Sequence, residues 1–214
     1  MTIILSLLFW LLAITIAITV HEFAHAIAAD KLGDPTPRVM DRVSLNPLKH
    51  YDRTGTTLLI ITSVMRALGA PVIPFGWAKP VPFDPYNLKN PRRDAALISI
   101  AGPLSNLLTA GLLSLILRIP SWSVGLGILH LLIIPIITIN VALALFNLVP
   151  VHPLDGGKIL VGILPKDLAA EAEFILRKYG TLILLFMIFP MNGVSPVFSL
   201  ISPAINFFLN IFIP

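Results

Sequence analysis

Long apolar runs alternate with short polar connections along this sequence. The runs cover residues 3–29, 56–68, 95–117, 124–148, 175–189 and 194–213. An α-helix needs about 20 apolar residues to cross a bilayer, so the pattern predicts an all-α polytopic membrane protein with five to six hydrophobic segments. The run at 56–68 is too short to cross and contains Arg66, and we expect it to be re-entrant or interfacial.

Residues 71–91 break this pattern because they contain six prolines. Proline cannot continue a helix and cannot donate a backbone hydrogen bond, which confines it to edge strands and loops. We therefore expect a short extended or β re-entrant element around residues 71–91, with an ordinary proline-rich loop as the alternative. The whole chain, 1–214, is predicted to form one membrane-embedded domain, with a core at about 1–165 and a C-terminal helical hairpin at about 173–213.

Composition supports a membrane protein and excludes several other classes. Of the 214 residues, 56% are hydrophobic and only 12% are charged, which is too little polar surface for a soluble domain of this size. Cysteine is absent, so the protein has neither disulfides nor thiolate metal ligands. The net charge is +4, but the basic residues are few and lie between apolar runs, so we expect no nucleic-acid partner.

The distribution of basic residues predicts the orientation in the membrane. Lysine and arginine are concentrated in the connections 30–53, 70–93 and 165–178, whereas SWSV after Pro120 and MNGV after Pro190 carry no charge. The positive-inside tendency places the basic connections in the cytoplasm and the uncharged ones outside. The first run lacks the basic region and cleavage site of a signal peptide, so we expect a retained helix that runs from outside to inside.

The end of the first apolar run carries the motif His21-Glu22-Phe-Ala-His25. Residues four apart share one face of a helix, so His21 and His25 can direct two imidazoles at one point. HExxH on a helix is the pattern of zinc metalloproteases, in which the glutamate acts as general base. A chance occurrence is the alternative. It is disfavoured because a carboxylate in a bilayer costs about 2.5–3.5 kcal/mol or more unless it finds partners.

A catalytic zinc site needs a third protein ligand, and Asp155 in the stretch Asn147-LVPVHPL-Asp155-GG is the candidate. An ordinary turn aspartate before glycine is the alternative. If residues 56–68 do not cross, the first and fourth runs are parallel. Both motifs then end near the cytoplasmic side of the membrane, which favours the metal-ligand interpretation.

These motifs resemble the site-2 proteases, a family of intramembrane zinc metalloproteases, in its compact prokaryotic form without a PDZ domain. HEFAH at 21–25 and NLVPVHPLDGG at 147–157 carry the resemblance. SLNPLKH at 44–50, FGWAKPVPFDPYNLKNPRRD at 75–94 and AGPLSN at 101–106 add to it.

The resemblance implies one zinc ion bound by His21, His25 and Asp155, with Glu22 as the base. It also implies hydrolysis of peptide bonds within or near transmembrane segments of membrane-protein substrates, as in regulated intramembrane proteolysis. The expected location is a prokaryotic cell membrane, with the active site toward the cytoplasm.

Several residues are candidates for binding the substrate. The resemblance places Asn147 beside the site. Asn106 could line the cavity or pack between helices. The extended stretch at 75–82, with Gly76 and Trp77, could pair with an unwound substrate as a strand, or it could be a loop in which Trp77 anchors the protein at the membrane interface.

Three other polar residues have less specific expectations. Asn140 is expected to make an interhelical hydrogen bond, and His50, in a basic connection, is expected to be solvated. His152 departs from the family pattern, either as a group that supports a ligand or as an accidental variant.

Other functions remain as alternatives at this stage. A transporter or metal permease would place ionisable groups at several depths of the membrane, and an inactive zinc-binding scaffold would share the same fold. A prenyl-protein type of HExxH protease would need a later glutamate ligand, for which only Glu171 and Glu173 are available. The expected partners are a transmembrane polypeptide substrate and the lipid bilayer. Nothing in the sequence indicates the oligomeric state.

Overall fold

A computed structural model describes residues 2–70, 72, 74–119, 127–190 and 194–214. In these ranges the chain is mostly helical and contains no strand. The helices are α1 (Thr2–Lys31), α2 (Thr36–Val39), α3 (Arg53–Ala67), α4 (Pro91–Leu117), α5 (Gly127–Asn147), α6 (Asp155–Ile163), α7 (Lys166–Ile188) and α8 (Pro196–Phe212), and short 3₁₀ turns cover Pro47–His50 and Pro85–Asn87. The predicted all-α class is confirmed.

Three of the described helices are long and apolar enough to cross a membrane, namely Ile3–Lys31, Pro91–Leu117 and Leu129–Asn147. The predicted count of five to six segments is not confirmed. Helix α3 has 15 residues and the apolar helix α8 has 17, which is short for a span. Helix α7 begins at Lys166, ahead of the predicted apolar run, and its first half is charged.

Helix α1 packs against α4 and α5 through a row of small side chains. Ala13, Ala17 and Ala29 are fully buried, and their four-residue spacing is completed by His21 and His25. Residues four apart form a ridge on a helix surface, and alanine lets the neighbouring backbones approach closely. The packing face of α1 therefore carries the HExxH histidines directly into the interior of the helix bundle.

The chain from 74 to 84 forms neither helix nor strand. The β element expected around residues 71–91 is therefore not confirmed, and residues 71 and 73 lie outside the described residues. The prolines explain part of this difference, because they leave gaps in any ladder of backbone donors. Helix α3 lies beside this segment, and Thr62 of that helix hydrogen-bonds both the backbone nitrogen and the carbonyl of Phe75.

Asp34 connects the end of α1 to the chain that leads into α4. Its fully buried carboxylate accepts hydrogen bonds from the backbone and hydroxyl of Thr36, the backbone of Asp84 and the amide of Asn87. Burial acts to raise the pKa of Asp34, but these hydrogen bonds outweigh it and lower that pKa below its ordinary value. The segment at 74–84 is thus held firmly at its C-terminal end.

The C-terminal part completes the bundle around α5. Val149 and Val151, in the turn after α5, pack with Leu184 of α7 and with Val197 and Ile201 of α8. This cluster fixes the turn that leads into α6. The two connections predicted to lie outside the membrane, SWSV after Pro120 and MNGV after Pro190, fall almost wholly outside the described residues.

Candidate metal centre

The interior face of α1 and the start of α6 bring three potential metal ligands together. The Nε2 atoms of His21 and His25 lie 3.0 Å apart, and each is 3.1 Å from Oδ2 of Asp155. All three residues are at most 9% exposed. His25 and Asp155, 130 positions apart along the chain, therefore meet with His21 in one compact cluster.

The other ring nitrogens fix the orientation of both imidazoles. Nδ1 of His25 lies 2.7 Å from the backbone carbonyl of Ile98, which can only accept, so this nitrogen carries a proton. Nδ1 of His21 lies 2.7 Å from Oδ1 of Asn106. With the proton on Nδ1, each neutral imidazole would keep the Nε2 lone pair on the side of Asp155, which is the tautomer a metal requires.

Asn106 contacts His21 and is not among the residues that line the cavity beside the cluster. It is fully buried, and its amide nitrogen donates to the carbonyl of Ala17 at 2.9 Å and to Oδ1 of Asn140 at 2.8 Å. Asn140 in turn donates to the carbonyl of Ile136. The expected interhelical hydrogen bond of Asn140 is confirmed, and this network makes the Asn106 oxygen the acceptor for His21.

Gly102 of α4 allows the histidines to pack this closely against the neighbouring helix. A Cβ atom at this position would lie 2.4 Å from Nε2 of His25 and 2.7 Å from Cε1 of His21. Both distances are far below van der Waals contact. Any side chain at residue 102 would therefore displace the two imidazoles from their shared point.

Asp155 occupies the first position of α6, with its carboxylate directed into the cluster. An acidic group in the first turn of a helix also interacts favourably with the helix dipole. Gly156 makes the approach possible, because a Cβ atom there would lie 2.3 Å from the carbonyl oxygen of Val149. Gly156 is thus a packing requirement of this turn, whereas a Cβ atom at Gly157 would come no closer than 3.1 Å to its neighbours.

A cavity of about 270 Å³ opens beside the cluster. Glu22 lies on its wall and accepts a hydrogen bond from the backbone nitrogen of Val81 at 3.1 Å. Three of the four predicted substrate-binding residues, Gly76, Trp77 and Asn147, also line it. The cavity therefore joins the HExxH helix to the segment 74–84 and to the end of α5.

Arg42 is a site residue that sequence reasoning missed. It is only 3% exposed, and its guanidinium donates to the carbonyls of Lys49, Lys79 and Pro80. The backbone nitrogen of Lys79 also donates to the carbonyl of His50 at 3.0 Å. Arg42 thereby holds the segment that contacts Glu22, although a basic residue in a loop gives no indication of such burial.

Two histidines outside the motif also differ from simple expectation. The prediction that His50 is solvated is wrong, since it is 2% exposed and its Nε2 lies 2.8 Å from the carbonyl of Ser44. Its short 3₁₀ turn packs against α1. His152 is not part of the three-residue cluster, and its backbone and Cβ pack against Gly180 of α7.

The chemistry of the cluster fits a divalent metal. Two imidazole lone pairs and one carboxylate oxygen, all acceptors, would repel one another at 3.0–3.1 Å without a cation between them. Ligand atoms about 3.3 Å apart are what tetrahedral coordination at about 2.0–2.1 Å requires. Imidazole and carboxylate ligands are typical of zinc, and three protein ligands leave one position for the reaction.

Comparison with known proteins agrees with the site. The sequence matches the profile of Peptidase family M50 over residues 9–126 and 119–187. It is 34% identical over 205 residues to a Bacillus subtilis (strain 168) protein named "Putative zinc metalloprotease YwhC", covering 91% of this chain and 84% of that protein.

A second relative comes from Mycolicibacterium smegmatis and is named "Putative zinc metalloprotease Rip2". The two sequences are 29% identical over 203 residues, which is 92% of this chain and 66% of the relative. No solved structure matches the chain significantly. From the extent of the profile match and the identity to the Bacillus protein, this chain belongs to peptidase family M50, the site-2 protease family.

Proposed function

We propose that this protein is an intramembrane zinc metalloprotease that hydrolyses peptide bonds within or near transmembrane segments of other membrane proteins. His21, His25 and Asp155 bind the zinc ion. The observation that carries this proposal is the meeting of three acceptor atoms, each 3.0–3.1 Å from the others, beside a cavity that contains Glu22.

Zinc held by such ligands lowers the pKa of a bound water to about 7 and polarises a carbonyl oxygen. The chain supplies the remaining chemistry. Glu22 accepts the proton of the attacking water and passes it to the leaving amine. The hydrogen bond from the backbone of Val81 holds one carboxylate oxygen of Glu22, so the other oxygen is free to face the cavity.

The substrate must lose its helical structure before it can react. A helix in lipid satisfies its own backbone groups, so its carbonyls are not available to a metal. Gly76, Trp77 and Ala78 line the cavity, and their backbone nitrogens donate no hydrogen bond among the described residues. We propose that an unwound substrate segment forms backbone hydrogen bonds with these groups. The segment 75–82 would then be a substrate-pairing element and not an ordinary loop.

The proposed reaction takes place below the surface of the membrane. His21 precedes Lys31, the end of the candidate span, by ten residues, or about 15 Å of helix. The basic connections that follow α1 and precede α4 favour a cytoplasmic location for this end of the site. A prokaryotic cell membrane and a role in regulated intramembrane proteolysis are consistent with this arrangement.

The test compares wild-type protein with Glu22→Gln in a cleavage assay on a transmembrane test substrate. General acid–base catalysis contributes about 10²–10⁴-fold to rate, so we expect cleavage to fall by about that factor while zinc content is unchanged. Glu171→Gln is the matched control, because Glu171 is exposed on α7, and it should cleave like wild type. Cleavage by Glu22→Gln at the wild-type rate would show that Glu22 is not the base.

A further inference from the structure

A second cleft adjoins the metal cavity between the start of α4, α6 and the first half of α7. Its volume is about 720 Å³. Phe83 and Lys158 line both this cleft and the metal cavity, so the two spaces share a wall. The cleft therefore lies directly beside the metal cavity.

The lining of this cleft is strongly cationic. Arg92, Lys158 and Arg177 border it, and Glu173, which pairs with Arg177 at 2.7 Å, is the one acidic residue among them. Neither Arg92 nor Lys158 forms an ion pair in the part of the chain that the structure describes. The ammonium of Lys158 instead lies 5.0 Å from the centre of the Phe83 ring.

His152 also borders the cleft, but its side chain is uncharged near neutral pH. Burial lowers its pKa, and the charges of Lys158 and Arg177 lower it further. The imidazole is consequently neutral at pH 7. The electrostatic character of the cleft is set by its lysine and arginine side chains.

We propose that this cationic cleft binds acidic side chains of the polypeptide substrate, in the polar stretch that flanks the segment being cleaved. Arginine and lysine recognise carboxylates through charge-assisted hydrogen bonds. The shared wall with the metal cavity favours the substrate chain over a lipid headgroup as the source of these carboxylates. This inference rests on the proposed function, and it adds a charge preference to it.

The first test measures binding, so that it does not depend on cleavage. Full-length Glu22→Gln protein in a neutral detergent is titrated with two fluorescent peptides that differ only in an acidic or a neutral flank. We expect the acidic peptide to bind about tenfold more tightly at low salt, with the difference lost as salt rises. Equal affinities at low salt would overturn the inference.

The second test identifies the cleft as the source of the preference. In the double variant Arg92→Gln, Arg177→Gln, the affinity ratio between acidic and neutral peptides should fall from about tenfold to below about threefold. Lys178→Gln is the matched control, since Lys178 is exposed on the same helix and lies over Phe174 and Tyr179. Retention of the full ratio in the double variant would assign the preference elsewhere and overturn the proposal.

A cleavage assay distinguishes the proposed protease function from the proposed charge preference. Wild-type protein is given two transmembrane substrates that differ only in an acidic or a neutral flank. Equal cleavage together with equal binding would leave the protease function intact and remove the charge preference. Absence of cleavage together with acid-selective binding would count against the protease and leave the cleft as a peptide-binding site. Binding of anionic lipid vesicles that is lost in the double variant Arg92→Gln, Arg177→Gln, together with equal affinities for the two peptides, would assign the cleft to lipid headgroups and contradict the inference.

Discussion

At the scale of single residues, the site is organised around the tautomers of two histidines. His21 and His25 each have one ring nitrogen committed to a protein acceptor, which leaves the other nitrogen for the shared point. HExxH could be proposed as a metal site because its spacing and residue types are typical of zinc ligands on a helix. Asp155 could be proposed because a catalytic zinc site needs a third protein ligand and its surrounding motif resembles that of the site-2 proteases. The partner of His21 was not predictable, since Asn106 lies 85 positions away and its role depends on how α1 and α4 pack.

Asn106 is therefore the first residue to test. Supporting hydrogen bonds to metal-binding histidines are typically worth about 10–100-fold in metal affinity. We expect Asn106→Leu to weaken zinc binding by about that factor in a competition assay with a chelator. The apolar control Asn210→Leu, at an exposed position of α8, should bind zinc like wild type. Unchanged zinc affinity in Asn106→Leu would show that this hydrogen bond does not support the ligand.

Gly102 tests the close approach of α4 to the histidines. A methyl group at residue 102 would overlap both imidazoles, so Gly102→Ala should lower zinc content severely. Gly111→Ala is the control on the same helix, because the nearest atom to its added Cβ is 3.7 Å away. Zinc analysis of both purified variants makes the comparison. Full zinc occupancy in Gly102→Ala would contradict the geometry described for the two rings.

At the scale of elements, prediction worked for the apolar helices and failed for the polar connections. Apolar runs define helices in a bilayer because no other element satisfies its backbone there. The apolar pattern does not include the polar first turn of a helix. Helix α4, for example, begins at Pro91, four residues before the apolar run that predicted it. The segment 74–84 takes its course from contacts with Arg42, Thr62 and Asp34, which no local pattern encodes.

Arg42 provides the test at this scale. Its planar guanidinium donates to three carbonyls, two of them at Lys79 and Pro80, and lysine cannot reproduce that geometry. We expect Arg42→Lys to reduce kcat/KM for a transmembrane substrate by about tenfold or more, because one hydrogen bond to a charged group contributes about 1.5–3 kcal/mol, with zinc content unchanged.

Arg38→Lys is the matched control for Arg42→Lys. Arg38 pairs with Asp30, but its side chain is 71% exposed, and exposed ion pairs contribute little. This variant should keep the wild-type kcat/KM. If Arg42→Lys does the same, the guanidinium is not needed to hold the segment that faces Glu22.

At the scale of the whole molecule, the site exists because helix packing brings two distant motifs to one depth. The buried alanines of α1 place its histidine-bearing face against α4 and α5, and the cluster formed by Val149, Val151 and Leu184 fixes the turn before α6. The sequence predicts that the first and fourth apolar runs are parallel if residues 56–68 do not cross the membrane. The proximity of the two motifs agrees with that prediction. The predicted five to six hydrophobic segments are not confirmed, because three of the described helices are long and apolar enough to cross, while α7 begins with a charged half and α8 has only 17 residues.

The most direct test of the account is the zinc content of purified Asp155→Ala compared with wild type. We predict about one zinc ion per wild-type chain and a severe loss in the variant, because two histidines alone do not complete a catalytic zinc site. Asp167→Ala, at the start of α7, should retain zinc. Undiminished zinc in Asp155→Ala would contradict the claim that residues from α1 and α6 share one metal ion.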